Sequence, residues 1–85
     1  MDDLREYAFI VEYSYDPKSE QFVIRFLDNN SYVLKVADLP KKLQTRKPDW
    51  ETAQLSNERD GLIVQAGKES KCIPFNVIHS RGTLL

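Results

Sequence analysis

The chain has 85 residues with 12 basic and 13 acidic side chains, a formal net charge of −1, 41% hydrophobic residues and 29% charged residues. This length supports one small hydrophobic core, so we predict a single domain over residues 1–85. The near-neutral balance excludes the overall basic charge by which many nucleic-acid and membrane-surface binders are recognised.

The N-terminal residues, the lack of a long apolar run and the cysteine content indicate a cellular compartment. The first residues are acidic, and no long apolar run follows that could serve as a signal peptide or a transmembrane span. The single cysteine, Cys72, excludes an internal disulfide and a zinc cluster built on thiolates. We therefore expect a cytoplasmic protein.

A β-hairpin is predicted over Gln21–Val36, where two alternating apolar runs flank the polar residues Asp28, Asn29 and Asn30. Pairing Phe26 with Tyr32 keeps the apolar residues of both strands on one face. That register leaves a three-residue loop over 28–30, and it predicts that Asn30 adopts the left-handed conformation. The apolar residues concerned are Phe22, Ile24, Phe26, Tyr32, Leu34 and Val36.

The residues before the hairpin predict one more strand, Tyr7–Tyr15, which is the first in the chain and has an aromatic-rich face at its odd positions. Pro17 lies in the following Asp16–Ser19 segment and favours a turn there. A loop of that length would pair Tyr13 with Phe22. We therefore predict a three-stranded antiparallel meander.

A short helix is predicted after the meander. Asp38 is suited to cap its N-terminus, and Pro40 falls in the first turn, where a missing N–H is tolerated. Leu39 and Leu43 are four residues apart and would face the sheet together. Pro48 sets the limit of the helix because the residue before a proline avoids the helical region.

Residues 50–56 fit two interpretations. As a helix, the segment would begin at a capping Asp49 and stop at Gly61, but its apolar residues do not share one helical stripe. As a strand, it would point Ala53 and Leu55 to the same side. We favour the strand.

The rest of the chain predicts strands at 62–66 and 71–73, one helical turn at 75–79 and a frayed end from 81 to 85. The predicted fold class is α+β. It consists of a three-stranded antiparallel meander, a short helix, two to three further antiparallel strands and a terminal helical turn.

Catalytic chemistry is not indicated. The single histidine, His79, would need Ser80 or Cys72 as a partner, and adjacent residues seldom present side chains to each other as a catalytic pair does. We expect His79 on the surface and Cys72 as a buried structural thiol. The acidic residues lack the spacing of a calcium loop, and no glycine-rich phosphate loop is present. We therefore predict no enzymatic activity, no metal site and no cofactor.

Four basic residues, Lys41, Lys42, Arg46 and Lys47, lie within seven positions, with no acidic residue between them. They could contact phosphates, which makes a nucleic-acid-associated regulator the alternative function. The other interpretation is a solvated helix face whose positive charges complement the helix dipole.

The second face of the predicted meander carries Ile10, Val23, Leu27 and Val33, which is more apolar than a surface exposed to water favours. We predict a partner surface there and, as the leading function, a non-catalytic interaction or assembly module that forms a homodimer. The alternative is that the C-terminal elements cover this face within one chain.

Four short segments resemble a family of small bacterial domains of unknown function, which occur alone or fused to helix-turn-helix regulators. They are VIRFLDNN (23–30), VADL (36–39), GLIV (61–64) and IPFNVI (73–78). The resemblance implies a bacterial, cytoplasmic α+β protein, and it supplies no catalytic residues.

Overall fold

The structure is a computed structural model that describes residues 3–85. Seven strands and a few short helices give an α+β fold, as the sequence predicts. The elements in chain order are α1 (Asp3–Ala8), β1 (Ile10–Asp16), β2 (Gln21–Phe26), β3 (Ser31–Lys35), a 3₁₀ turn (Val36–Asp38), α2 (Lys41–Gln44), β4 (Asp49–Leu55), β5 (Gly61–Ala66), β6 (Glu69–Pro74), α3 (Phe75–Arg81) and β7 (Thr83–Leu84).

The strands form two antiparallel sheets, one in the order β1-β2-β3-β7 and the other in the order β4-β5-β6. The Tyr13 hydroxyl donates a 2.9 Å hydrogen bond to the Ala53 carbonyl and so links the two sheets. One hydrophobic core draws on both sheets and on the short helices. Its fully buried side chains are Ile10, Phe22, Ile24, Phe26, Leu34, Leu62, Val64, Ile73 and Ile78.

The first strand begins later than predicted, because Tyr7 and Ala8 belong to α1. The pairing with β2 shifts between Ile10 and Glu12, which is a β-bulge. A bulge changes the alternation of side chains along the strand. As a result Ile10 is fully buried opposite Phe26, and its predicted place on the outer face is wrong.

The hairpin keeps its predicted faces in a different register. Ile24 pairs with Tyr32, whereas the sequence predicted Leu34 opposite Ile24. The shift is two residues, and because side chains alternate with a period of two, no residue changes face. The pairing of β1 with β2 is likewise displaced, so that Tyr13 faces Ile24 and not the predicted Phe22.

The hairpin loop consists of residues 27–29 and is closed by a 2.9 Å hydrogen bond from the Phe26 N–H to the Asn30 carbonyl. Asn29 has φ 70°, so the predicted left-handed position at Asn30 is wrong by one residue. The Asp28 carboxylate explains the difference, because it accepts a 3.1 Å bond from the Asn30 N–H. This bond fixes a local turn that begins at Asp28.

Substitution at the loop distinguishes the two registers. Asn29→Val should lower the free energy of unfolding by about 1–2 kcal/mol, since a β-branched residue is strained at positive φ. Asn30→Val should cost less, about 0.5 kcal/mol, because it loses only the exposed 3.0 Å bond from the Asn30 side-chain amide to the Asp28 carboxylate. Urea denaturation of both variants is the test, and a larger loss for Asn30→Val would contradict the observed loop.

The predicted two-turn helix is instead a 3₁₀ turn followed by the single turn α2. Pro40 causes the break, because the residue before a proline avoids the helical region. Leu39 is accordingly extended, with φ −70° and ψ 149°, and Pro40, not Asp38, precedes the helix. Leu39 and Leu43 are nevertheless both buried, as predicted.

The C-terminal half confirms the strand interpretation of residues 50–56, since all of them except Ser56 lie in β4. Strand β6 lies at a sheet edge and ends at Pro74, and α3 then buries Ile78 in the core. The predicted frayed end is wrong, because Thr83 pairs with Val33 at the edge of the first sheet. Among residues 3–85, no helix is long and apolar enough to cross a bilayer.

Candidate interaction surfaces

The first candidate surface is the outer face of the four-stranded sheet. Val23 of β2 lies directly opposite Val33 of β3. Ser14 and Thr83 extend this row on the two flanking strands, so the two valines have small polar neighbours on either side. Val23 is 36% exposed, and Val33 is half-buried. We call these four residues the valine strip.

An exposed ion pair borders the valine strip. The Arg25 guanidinium donates a 2.8 Å hydrogen bond to the Glu12 carboxylate on the neighbouring strand. This hydrogen bond, together with the charge of Arg25, lowers the pKa of Glu12. Because both side chains are exposed, the pair contributes little to stability, but it places one charge of each sign beside the valines.

The predicted partner surface does not stay together in the fold. Val23 and Val33 are adjacent on the outer face, whereas Ile10 lies in the core. Leu27 belongs to the hairpin loop, is 47% exposed and lines a separate groove with Phe9 and Phe75. Only the two valines therefore share the predicted face.

The second candidate surface is this separate groove, which we call the acidic groove. Its apolar lining consists of Ala8, Phe9, Leu27 and Phe75, and its polar lining consists of Asn57, Glu58 and Asp60. The turn that carries the polar residues is held in place by the Ser56 hydroxyl, which donates a 2.8 Å bond to Asp60 Oδ1. Sequence analysis missed this groove because its residues come from four separate segments.

The third candidate surface is the predicted basic segment, whose four members Lys41, Lys42, Arg46 and Lys47 are all exposed. Lys41 and Lys42 belong to α2, while Arg46 and Lys47 follow it with φ values of 63° and 49°. Arg46 Nη1 lies 2.8 Å from Glu69 Oε1, so the fold pairs one of the four cations with an acid distant in sequence.

The fold adds a fifth cation to this segment. Lys71 Nζ of β6 donates hydrogen bonds of 3.0 Å to the Lys42 carbonyl and 2.9 Å to Thr45 Oγ1. The sequence holds no signal for this contact, because it depends on how β6 packs beside α2.

His79 lies in an aromatic cluster and not on an open surface as predicted. Its ring centroid is 4.6 Å from that of Phe26, 4.8 Å from that of Tyr32 and 5.8 Å from that of Phe75. Burial lowers the pKa of His79, and the nearby Asp28 carboxylate opposes this effect. His79 is therefore held in place by packing against aromatic side chains.

The surroundings of Cys72 do not favour its use as a nucleophile. The thiol is exposed on β6, where the sequence predicted a buried one. Partial burial and the charge of Asp60 raise the pKa of Cys72, so the thiolate that nucleophilic catalysis requires is disfavoured. Within the part of the chain that the structure describes, no group of three or more His, Cys, Asp or Glu residues is placed to hold a metal ion.

Trp50, the single tryptophan of the chain, packs into the molecule. It is half-buried, and its ring meets Phe22 edge to face at a centroid distance of 6.2 Å. Contacts of this kind stabilise hydrophobic cores.

No family model matches the chain, and neither the curated proteins nor the solved structures contain a significant match to it. The resemblance to small bacterial domains therefore stays a prediction.

Proposed function

We propose that the chain is a non-catalytic protein-interaction module that forms a homodimer through the valine strip. The observation that carries this proposal is the direct pairing of Val23 with Val33 on the outer face of the four-stranded sheet, where Val23 remains 36% exposed. The two paired valines form an apolar centre, and burying it in a second copy would remove that area from water.

The charges beside the strip are compatible with self-association. A two-fold interface brings the same patch of both copies together, so a patch must be complementary to itself. Glu12 and Arg25 lie 2.8 Å apart and provide one charge of each sign. A rotated second copy can therefore place opposite charges against each other, which favours one orientation of the dimer.

Light scattering at micromolar concentrations tests this proposal. The wild-type chain should have the mass of a dimer, and Val23→Glu should have the mass of a monomer, because each copy would bring a carboxylate to the centre of the interface. Gln65→Glu is the matched control, since it adds the same charge at another exposed strand position. A wild-type monomer, or a dimer that persists in Val23→Glu, would contradict the proposal.

A second candidate function is binding of a polyanion such as nucleic acid by the basic segment. The observation that favours it is Lys71, which the fold brings to within 3.0 Å of the Lys42 carbonyl and so adds to the run of cations. Lysines that contact phosphates release counterions, and this gives an affinity that falls steeply with salt.

A fluorescence titration against duplex DNA at low and near-physiological salt tests the second function. If the basic segment binds, Lys41→Gln should reduce the slope of log affinity against log salt by about one. Lys18→Gln, an exposed lysine in the turn between β1 and β2, should leave that slope unchanged. An absence of binding at low salt would rule the function out.

A further inference from the structure

The acidic groove is held in shape by backbone hydrogen bonds between the segments that line it. The Leu27 N–H donates to the Phe9 carbonyl at 2.8 Å, and the Ile10 N–H donates to the Arg59 carbonyl at 2.7 Å. The Phe75 N–H donates to the Asp60 carbonyl at 2.8 Å. These bonds connect the hairpin loop, the residues that follow α1, the 56–60 turn and the start of α3, so a ligand would meet a preformed site.

The apolar part of the groove can take up a side chain. Leu27 is 47% exposed although it lies beside two aromatic residues, Phe9 and Phe75. A side chain that settles among these three residues would bury the remaining area of Leu27 as well as its own. Pockets lined by aromatic and aliphatic residues are the usual location of the dominant contacts in an interface.

The polar part of the groove favours a positively charged ligand. Glu58 and Asp60 place two carboxylates beside the apolar lining. The Arg59 guanidinium lies 5.6 Å from the centroid of the Phe9 ring and offsets part of this charge, so Glu58, Asp60 and Arg59 together leave a formal charge of −1. Carboxylates next to an aromatic face attract lysine and arginine and repel phosphates and acidic peptides.

We propose that the acidic groove binds a peptide segment of a protein partner in which an apolar side chain is adjacent to lysine or arginine. The basic segment of a second copy does not fit this description, because its leucines, Leu39 and Leu43, are only 4% and 8% exposed. This binding is a protein interaction, as is the proposed dimerisation, but it uses a surface that does not include the valine strip.

The test is a titration of the full ¹⁵N-labelled chain, followed by amide chemical shifts. Three short probe peptides are compared: a leucine flanked by lysines, a serine flanked by lysines, and a leucine flanked by glutamates. The first peptide should shift the amides of Leu27, Glu58 and Phe75, and the other two should bind at least about fivefold more weakly.

Two variants locate the binding. Leu27→Asn should weaken the first peptide by about fivefold or more through loss of apolar contact. Glu58→Gln should weaken it about two- to threefold, and this difference should disappear at high salt. Both residues are exposed, so both variants should fold.

Val23→Glu separates this proposal from the proposed dimer, since it should alter the mass of the particle and leave peptide affinity unchanged. The groove proposal is overturned if the peptide with glutamates binds equally well, if the shifts lie outside the groove, or if millimolar peptide causes no shift. It is also overturned if Leu27→Asn dissociates the dimer, because the groove would then be occupied by a second copy.

Discussion

Ile10→Asp is expected to leave the chain unfolded at neutral pH. Ile10 is fully buried opposite Phe26, so the variant loses about 1.5–3 kcal/mol of side-chain burial. It also forces a carboxylate into the core, which costs several kcal/mol more. A domain of this size has roughly 5–15 kcal/mol of stability in total. Circular dichroism with urea denaturation should show little or no folded protein.

Val23→Asp is the matched control for Ile10→Asp. Val23 lies on the outer face of the same sheet and is 36% exposed, so the same substitution should leave each chain folded, and its loss of stability should be limited to that of the proposed dimer contact. The sequence-based prediction put both residues on one exposed face, where the two variants would behave alike. Equal, small effects of the two substitutions would therefore contradict the bulge between Ile10 and Glu12.

Phe26→Ala should lower the free energy of unfolding by about 3–5 kcal/mol, which is typical of truncating a buried aromatic residue. Phe26 is fully buried and contacts the rings of Tyr32 and His79, at centroid distances of 5.7 Å and 4.6 Å. Thermal or urea denaturation measures the loss. An effect below about 1 kcal/mol would show that Phe26 is not part of the core.

Phe26→Leu gives a second measurement on the same cluster if Phe26→Ala does not fold. The smaller aliphatic side chain should retain the fold and leave His79 more open to water. Because burial is the main cause of the lowered pKa of His79, that pKa should rise toward its ordinary value. An NMR titration of the imidazole tests this, and an unchanged or lower pKa would contradict the described packing.

The hairpin was predictable in its faces but not in its register. The alternation of Phe22, Ile24 and Phe26 determines which side of the strand is buried, and a shift of two residues leaves that assignment intact. The loop position depends on the bond between Asp28 and Asn30, which competes with other turns of similar quality. Apolar patterns therefore predicted the core better than the turn.

The errors at the candidate surface have a different cause. A bulge adds one residue to a strand, and the alternating pattern of Tyr7–Tyr15 contains no feature that marks where it occurs. Leu27 was expected on the same strand and the same face as Val23, but it is the first residue of the hairpin loop. Ile10 and Leu27 therefore do not lie on the predicted partner surface, whereas Val23 and Val33 do.

The acidic groove and the fifth basic residue, Lys71, could not be predicted from the sequence. Both depend on contacts between segments far apart in the chain, such as Lys71 with Thr45 and Ile10 with Arg59. Such contacts are set by how the sheets and the short helices pack together, and they leave no local periodicity in the sequence. The break between the 3₁₀ turn and α2 at Pro40 could, in contrast, have been predicted from the sequence, since the residue before a proline is usually extended.

The most direct test of the proposed dimer is an isotope-filtered NOESY experiment on a mixture of labelled and unlabelled chains. We predict intermolecular NOEs to the methyl groups of Val23 and Val33, with none to the buried methyl groups of Ile10. Intermolecular NOEs confined to other residues, or a particle with the tumbling time of a monomer and no intermolecular NOEs, would contradict self-association through the valine strip.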